Sequence, residues 1–200
     1  NGKNGITDEP PVRIFVMGDD QWREEQEWPL ARAVETKYYL HSGGKANSKN
    51  GDGTLGTGNP QSEPPDVFLY NPADPVPTTG GALCCNPYYA ANGAYDQNEV
   101  EERQDVLVYS TPPLERDLEV TGPVTVTLWA STSAKDTDFT AKLVDVCENG
   151  CARNLTDGII RARYRDSMSN PTLLEPGRTY CYDIDLWATS NVFKAGHRIR

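Results

Sequence analysis

Apolar and polar residues alternate with a period of two through much of the chain. In Val124 to Trp129, Val124, Val126 and Leu128 fall on one side of an extended backbone, and Thr125, Thr127 and Trp129 fall on the other. Tyr180 to Trp187 repeats the pattern, with Tyr180, Tyr182, Ile184 and Leu186 set against Asp183 and Asp185. Such alternation predicts half-buried antiparallel strands. Val12 to Met17, Val67 to Tyr70, Val106 to Tyr109, Phe139 to Val146 and Ile159 to Arg165 are further strand candidates, bounded by Gly, Pro, Asn or Asp. His41 ends another. No segment carries a sustained apolar stripe at helical spacing. Arg23 to Trp28 has room for one helical turn before Pro29 stops it. Many short strands without intervening helices predict an all-β chain, a β-sandwich or jelly roll.

Between these runs lie two long irregular stretches. Ser42 to Pro65 is rich in Gly, Asn, Ser and Thr, and Pro72 to Asp96 in Pro, Gly, Asn and Tyr. Loops of that length in a compact domain are usually functional or packed on a neighbour. The 200 residues suit one domain across 1–200, with 1–9 as a flexible leader. A polar start at Asn1, without methionine, reads as the cut end of something longer.

Charge narrows the partners. A formal net charge of -10 argues against nucleic acid, whose phosphates would be repelled. No apolar run is long enough for a membrane-spanning helix, so no membrane partner is expected. The five cysteines leave at least one unpaired within the chain. Cys147 and Cys151 bracket Glu148-Asn149-Gly150, a three-residue turn that sets them opposite each other if Gly150 is left-handed. A disulfide there would imply an oxidising compartment, periplasmic or secreted; the alternative is two reduced thiols at an exposed tip. Asn154-Leu155-Thr156 fits a glycosylation sequon, a triplet too common to carry weight.

The chain offers little for catalysis. His41 and His197 are the two histidines available as a general base, and no Gly-x-Ser-x-Gly elbow surrounds any serine. Both histidines read as structural or surface residues. Cys147 and Cys151 lack a second ligand pair for zinc. Asp136, Asp138 and Asp145 could offer oxygens to calcium, although pairing with Arg161, Arg163 and Arg165 is the simpler use. Gly51-Asp52-Gly53-Thr54-Leu55-Gly56 matches the dinucleotide-binding glycine pattern in letters only, because no helix can follow it. No cofactor is expected.

Several landmarks occur in order along nearly the whole chain. Val12 to Gly18 is followed by Trp22-Arg23 and Glu27-Trp28-Pro29-Leu30, then Tyr70 to Pro77 with Gly80-Gly81. Asp136 to Val146, Gly158-Ile159, Arg161 to Arg165, Ala188 to Phe193 and Gly196-His197-Arg198 complete the series. This pattern resembles the C-terminal domain of the cocaine-esterase, X-Pro dipeptidyl-peptidase and glutaryl-acylase (CocE/NonD) family of serine hydrolases. The resemblance implies a galactose-binding-like jelly roll packed on an upstream catalytic α/β-hydrolase domain of the same polypeptide, and it places the Ser-Asp-His triad there, outside this chain. It also implies a substrate-pocket wall at Leu83, Cys84 and Cys85, where the family esterase carries large apolar residues at the last two positions. One of those cysteines pairing with Cys181 is the competing use. Family chains continue past Gly196-His197-Arg198 into further strands, so the chain is expected to be truncated before its last strands. A homodimer of the intact enzyme is a further expectation. The rival reading is a carbohydrate-binding module using Trp22, Trp28, Tyr88 and Tyr89.

Overall fold

The computed structural model describes residues 4–82, 88 and 91–200. Its long elements are strands: β1 (Val12–Val16), β2 (Gln21–Glu25), β3 (Tyr39–His41), β4 (Thr54–Gly56), β5 (Leu118–Ala130), β6 (Asp138–Val146), β7 (Ala152–Arg161), β8 (Tyr180–Phe193) and β9 (Arg198–Ile199). Three short 3-10 turns are the helical elements among the described residues, one of them Ile6–Asp8 within the expected leader. Every strand pair is antiparallel: β1 with β2, β3 with β4, β5 with β8, and β6 between β7 and β9. The all-β expectation holds, as a β-sandwich.

The long pair β5–β8 is built by the alternation seen in the sequence. Tyr182, Ile184 and Leu186 are buried, and Asp183 and Asp185 between them are exposed. Burying each such side chain is worth about 1.5–3 kcal/mol, so the face that holds them is strongly specified. Tyr182 packs with Ala162 and Leu174, flanked by Leu128, Ala130, Phe139, Ile160 and Tyr180. Its ring meets Phe139 at 4.8 Å between centroids. A second small core holds Val144, Val146 and Ala152 on β6 and β7.

Two local features join the layers. A Cβ on Gly158 of β7 would lie 2.1 Å from the Asp185 carbonyl oxygen, so only glycine lets β7 pass β8 this closely. Register shifts between Pro123 and Thr125, and the extra residue on β8 is Trp187, held at φ +66°. This bulge turns Trp187 outward and lets both halves of β8 keep one face buried, with Tyr182, Ile184 and Leu186 before it and Thr189, Asn191 and Phe193 after it.

Three expectations need correction. Arg23 sits in strand β2 rather than a helical turn, because Arg13, Ile14 and Phe15 of β1 pair with Glu24, Arg23 and Trp22. The apolar runs Val67 to Tyr70 and Val106 to Tyr109 form no strand; Val106 and Val108 instead bond singly to Ser48 and Ala46. The strand expected over Ile159 to Arg165 ends at Arg161, because Ala162–Tyr164 turns to bury Ala162 under Tyr182.

The Tyr182 hydroxyl is buried and has no hydrogen-bond partner among the described residues. Tyr182→Phe is therefore expected to stabilise the fold by about 1 kcal/mol, raising Tm by about 2–4 °C in a chain of this size. A lowered Tm in a thermal melt would mean the hydroxyl has a partner after all.

Candidate functional site

Both histidines are committed to the fold. His41, at the end of β3, has its Nδ1 2.8 Å from Glu63 Oε1 and its Nε2 3.1 Å from the Gly58 carbonyl oxygen. With an acceptor at each nitrogen, both bonds form together only when the ring is protonated to imidazolium. The hydrogen bond to Glu63 holds the His41 pKa above its ordinary value, and the same bond holds Glu63 below its own. His197 lies 2.9 Å from Asp145 through Nδ1. Among the described residues no serine hydroxyl or thiol bonds either ring.

The glycine-rich stretch is a packed loop, not a phosphate cradle. Asp52 accepts the amides of Gly43 and Lys45, at 3.1 Å each. A Cβ on Gly51 or Gly53 would fall 2.3 or 2.1 Å from a backbone oxygen of the neighbouring strand of chain. Asp66 closes the loop by accepting the Ala46 amide at 2.8 Å, the Ser42 hydroxyl at 2.6 Å and the Tyr109 hydroxyl at 2.7 Å. Burial pushes Asp66 up, and these three donors outweigh it and hold the carboxyl below its usual range. Burial and the adjacent Asp66 push the Tyr109 phenol well above its ordinary value.

The calcium candidates each have a side-chain partner of their own. Asp138 takes Arg161 at 2.8 Å, Asp136 takes Arg163, and Asp145 takes His197. No group of three His, Cys, Asp or Glu side chains arranged for a metal occurs among the described residues. Ion pairing engages Asp136 and Asp138, and Arg165 turns to Asp166 and to the Ala162 and Thr172 carbonyls. A strand running on to Arg165 would carry all three arginines on one face, but the turn after Arg161 separates them.

Cys147 and Cys151 occupy the hairpin foreseen for them, with Gly150 at φ +86°, but the bridge is not formed. Their thiols are free, as is that of Cys181. Cys147 and Cys151 sit at a hydrogen-bonded position of the ladder, where facing side chains stand further apart than at the alternate positions. With the thiols free, the pair gives no support to an oxidising compartment.

Leu83, Cys84 and Cys85 lie outside the described residues. The backbone on either side of them is well fixed, by groups the sequence did not announce. Gly81 and Gly93 exchange two hydrogen bonds, 2.8 and 3.0 Å, which draw the loop into a neck. Gln97 and Asn154, both buried, anchor it: the Gln97 amide donates to the Thr79 carbonyl (2.8 Å) and to Asn154 Oδ1 (3.1 Å), and the Tyr95 amide donates to the same oxygen at 2.8 Å. Lys142 of β6 donates to Gln97 Oε1 at 2.8 Å, and burial pushes its pKa down. A Cβ on Gly80 would fall 2.5 Å from the Gly93 carbonyl oxygen, and this is why the Gly80-Gly81 landmark is glycine. The burial of Asn154 also removes it as a glycosylation acceptor.

Of the glycan-binding candidates, Trp22 stacks edge-on against Phe15 at 5.4 Å with the Arg13 guanidinium over its face. Trp28 precedes Pro29 through a cis peptide in a turn, Tyr88 lies in a loop, and Tyr89 is outside the described residues. An open groove of about 370 Å3, lined by Tyr38, Leu55, Pro112, Pro113, Leu114 and Arg116 among others, contains no histidine, serine or cysteine.

Among the described residues the chain is a β-sandwich in which no histidine bonds a serine hydroxyl or a thiol. The chain belongs to the family of X-Pro dipeptidyl-peptidase C-terminal non-catalytic domains, whose model matches residues 4–200. It is 52% identical over 190 residues to cocaine esterase of Rhodococcus sp. (strain MB1 Bresler), covering 95% of this chain and 33% of that protein. A putative Xaa-Pro dipeptidyl-peptidase of Bacillus cereus is 29% identical over 199 residues, 98% of this chain and 30% of the relative. Among solved structures, an aminopeptidase from a marine sediment Thaumarchaeota archaeon superposes with a TM-score of 0.77 at 30% identity, over 96% of this chain and 32% of that one. An α-amino acid ester hydrolase gives 0.77 at 29% identity, over 96% and 33%. The chain thus spans about a third of the length of the relatives it matches.

Two outcomes follow from this geometry. Asn154→Ala leaves the Tyr95 amide and the Gln97 side chain short of an acceptor, and is expected to cost about 1–3 kcal/mol in urea unfolding, with faster amide exchange at Gly81 and Gly93. Unchanged exchange at those two glycines would refute the anchoring role. The His41 clip is predicted to depend on pH in both directions. Its raised histidine stabilises the loop fully below the unfolded value near 6.5 and loses that contribution as pH rises through the folded value. The lowered Glu63 contributes above about 4.5 and is lost as pH falls through its folded value. An NMR titration placing His41 at or below 6.5 would contradict this.

Proposed function

We propose that this chain is the accessory C-terminal part of a serine hydrolase, one that hydrolyses esters or amides through an acyl-serine on a separate α/β-hydrolase domain. Its role there is to buttress that domain and to wall one side of the substrate cleft with Leu83, Cys84 and Cys85. The observation that carries this reading is the match to a non-catalytic family along residues 4–200, in a chain whose histidines are both committed to carboxylates. Identity of 52% to an esterase, against 29% to a putative dipeptidyl-peptidase, favours ester over X-Pro peptide substrates.

Surface composition supports a neighbour. Val67 and Leu69, in the apolar run that found no strand partner, are 74% and 85% exposed. Contiguous apolar surface of this kind is characteristic of a packing face. The edge of β6 from Asp138 to Leu143, beyond the short pairing with β9, has no strand beside it among the described residues, which supports a further strand adding there in the intact fold. Dimerisation of the intact enzyme belongs to the same proposal.

The 200-residue chain alone is expected not to turn over a p-nitrophenyl ester, and serine-inhibitor-sensitive turnover would end the accessory reading. In the full-length enzyme, Cys84→Leu with Cys85→Phe should narrow the cleft and shift kcat/KM toward short acyl chains by about tenfold or more. An unchanged acyl preference would remove the pocket-wall role.

A further inference from the structure

Cys147 directly follows β6 and Cys151 directly precedes β7. Val146 faces Ala152 in the register, so the two cysteines are the next facing pair. The Cys147 amide donates to the Cys151 carbonyl at 2.9 Å, and the Gly150 amide donates to the Cys147 carbonyl at 2.9 Å. The Asn149 side chain accepts the Cys151 amide at 3.0 Å, and Asn98 Nδ2 donates to the Gly150 carbonyl at 2.7 Å. The tip is thus held from inside and from the neighbouring loop. Both thiols are free and half-buried, fixed in place yet open to a small reagent. Facing residues at hydrogen-bonded positions have Cα atoms about 5.5 Å apart, inside the span of about 4.4–6.8 Å that a disulfide bridges. Closure needs the side chains to turn, and the backbone can stay where it is.

We infer that Cys147 and Cys151 form a reversible dithiol–disulfide site that takes small-molecule disulfides of the glutathione class as oxidant. One cysteine thiolate attacks a sulfur of the external disulfide, forming a mixed disulfide and releasing one external thiolate, which takes up the proton. The second cysteine, as its thiolate, attacks the protein-side sulfur and expels the other external thiolate. Two protein thiols and one external disulfide become one internal disulfide and two external thiols, with two electrons and two protons passed to the oxidant. The second step is intramolecular across a three-residue turn, at an effective concentration of about millimolar or higher, so glutathione does not accumulate on the protein. Burial pushes the Cys147 thiol up, which favours its protonated form. The tip abuts the turn into β9: a Cβ on Gly196 would lie 2.0 Å from Glu148 Oε1, and Asp145 beside the pair bonds His197. Oxidation therefore stiffens the hairpin against which β9 docks.

The test uses the 200-residue chain carrying Cys84→Ser, Cys85→Ser and Cys181→Ser, equilibrated in mixtures of oxidised and reduced glutathione and followed by intact mass and thiol titration. The expected result is loss of both thiols, a mass lower by two hydrogens, no glutathione adduct, and full reversal in excess reduced glutathione. Gly150→Val, which strains the left-handed turn residue by about 1–2 kcal/mol, should slow closure about tenfold. Persistent glutathione adducts, retention of both thiols, or closure just as fast in Gly150→Val would each overturn the inference. If the triple variant does not fold, peptide mapping of a Cys147–Cys151 crosslink in the unsubstituted chain decides the same question, and its absence counts against the site.

Discussion

The inward face of β8 is the constraint on which the rest of the domain is arranged. Tyr182, Ile184, Leu186 and Phe193 are all but fully buried along one strand, and β5 pairs with that strand from Leu118↔Phe193 to Ala130↔Tyr180. A slip of one residue would turn Asp183 and Asp185 into the core and the apolar set outward, so register is fixed by burial. The bulge at Trp187 absorbs the one extra residue needed to keep both halves of β8 in phase. Gly158 then lets β7 come within backbone range of Asp185, and the Thr156 hydroxyl bonds the Leu186 carbonyl. The β7–β6–β9 layer is positioned by that approach.

How much of this the sequence revealed follows the range of the forces involved. β5, β6 and β8 were legible because side-chain alternation is local and each has one buried face. β2 was not, because Gln21–Glu25 is nearly all polar and is held by ion pairs: Arg23 to Glu25 and Glu119, and Arg32 to Glu25. Val67 to Tyr70 misled for the opposite reason, since an apolar run says that a segment will be covered but not by what. The Gln97–Asn154 anchor joins residues 57 apart in sequence, and no local pattern marks it. Only Gly80-Gly81 hinted that backbone would crowd backbone there.

The candidate chemistry dissolved in a consistent way. His41, His197, Asp136, Asp138 and Asp145, read one at a time, resemble bases and metal ligands. In the fold each is spent on a partner a few ångströms away. Pairs of this kind close to the surface add little stability, commonly below about 1 kcal/mol each, so their service is mainly to fix loop and turn geometry. Among the described residues these five side chains are directed at the domain itself, in keeping with its place in a non-catalytic family.

The same reasoning separates the surface into parts that need explaining and parts that do not. Singly exposed apolar residues are normal in a folded protein, and Val34 or Met168 alone would say nothing. Val67 to Tyr70 differs because four consecutive apolar residues run over the surface, with Val67 contributing its carbonyl to the Asn47 side chain. Asp66, immediately before the run, is tied down by Ala46, Ser42 and Tyr109. The fold therefore presents this run from a rigid root, whereas a segment waiting to collapse onto its own core would need slack there. On the proposed reading, that fixed apolar rib is where the hydrolase domain rests, and the glycine-crowded loop from Ser42 to Pro65 exists to hold it out.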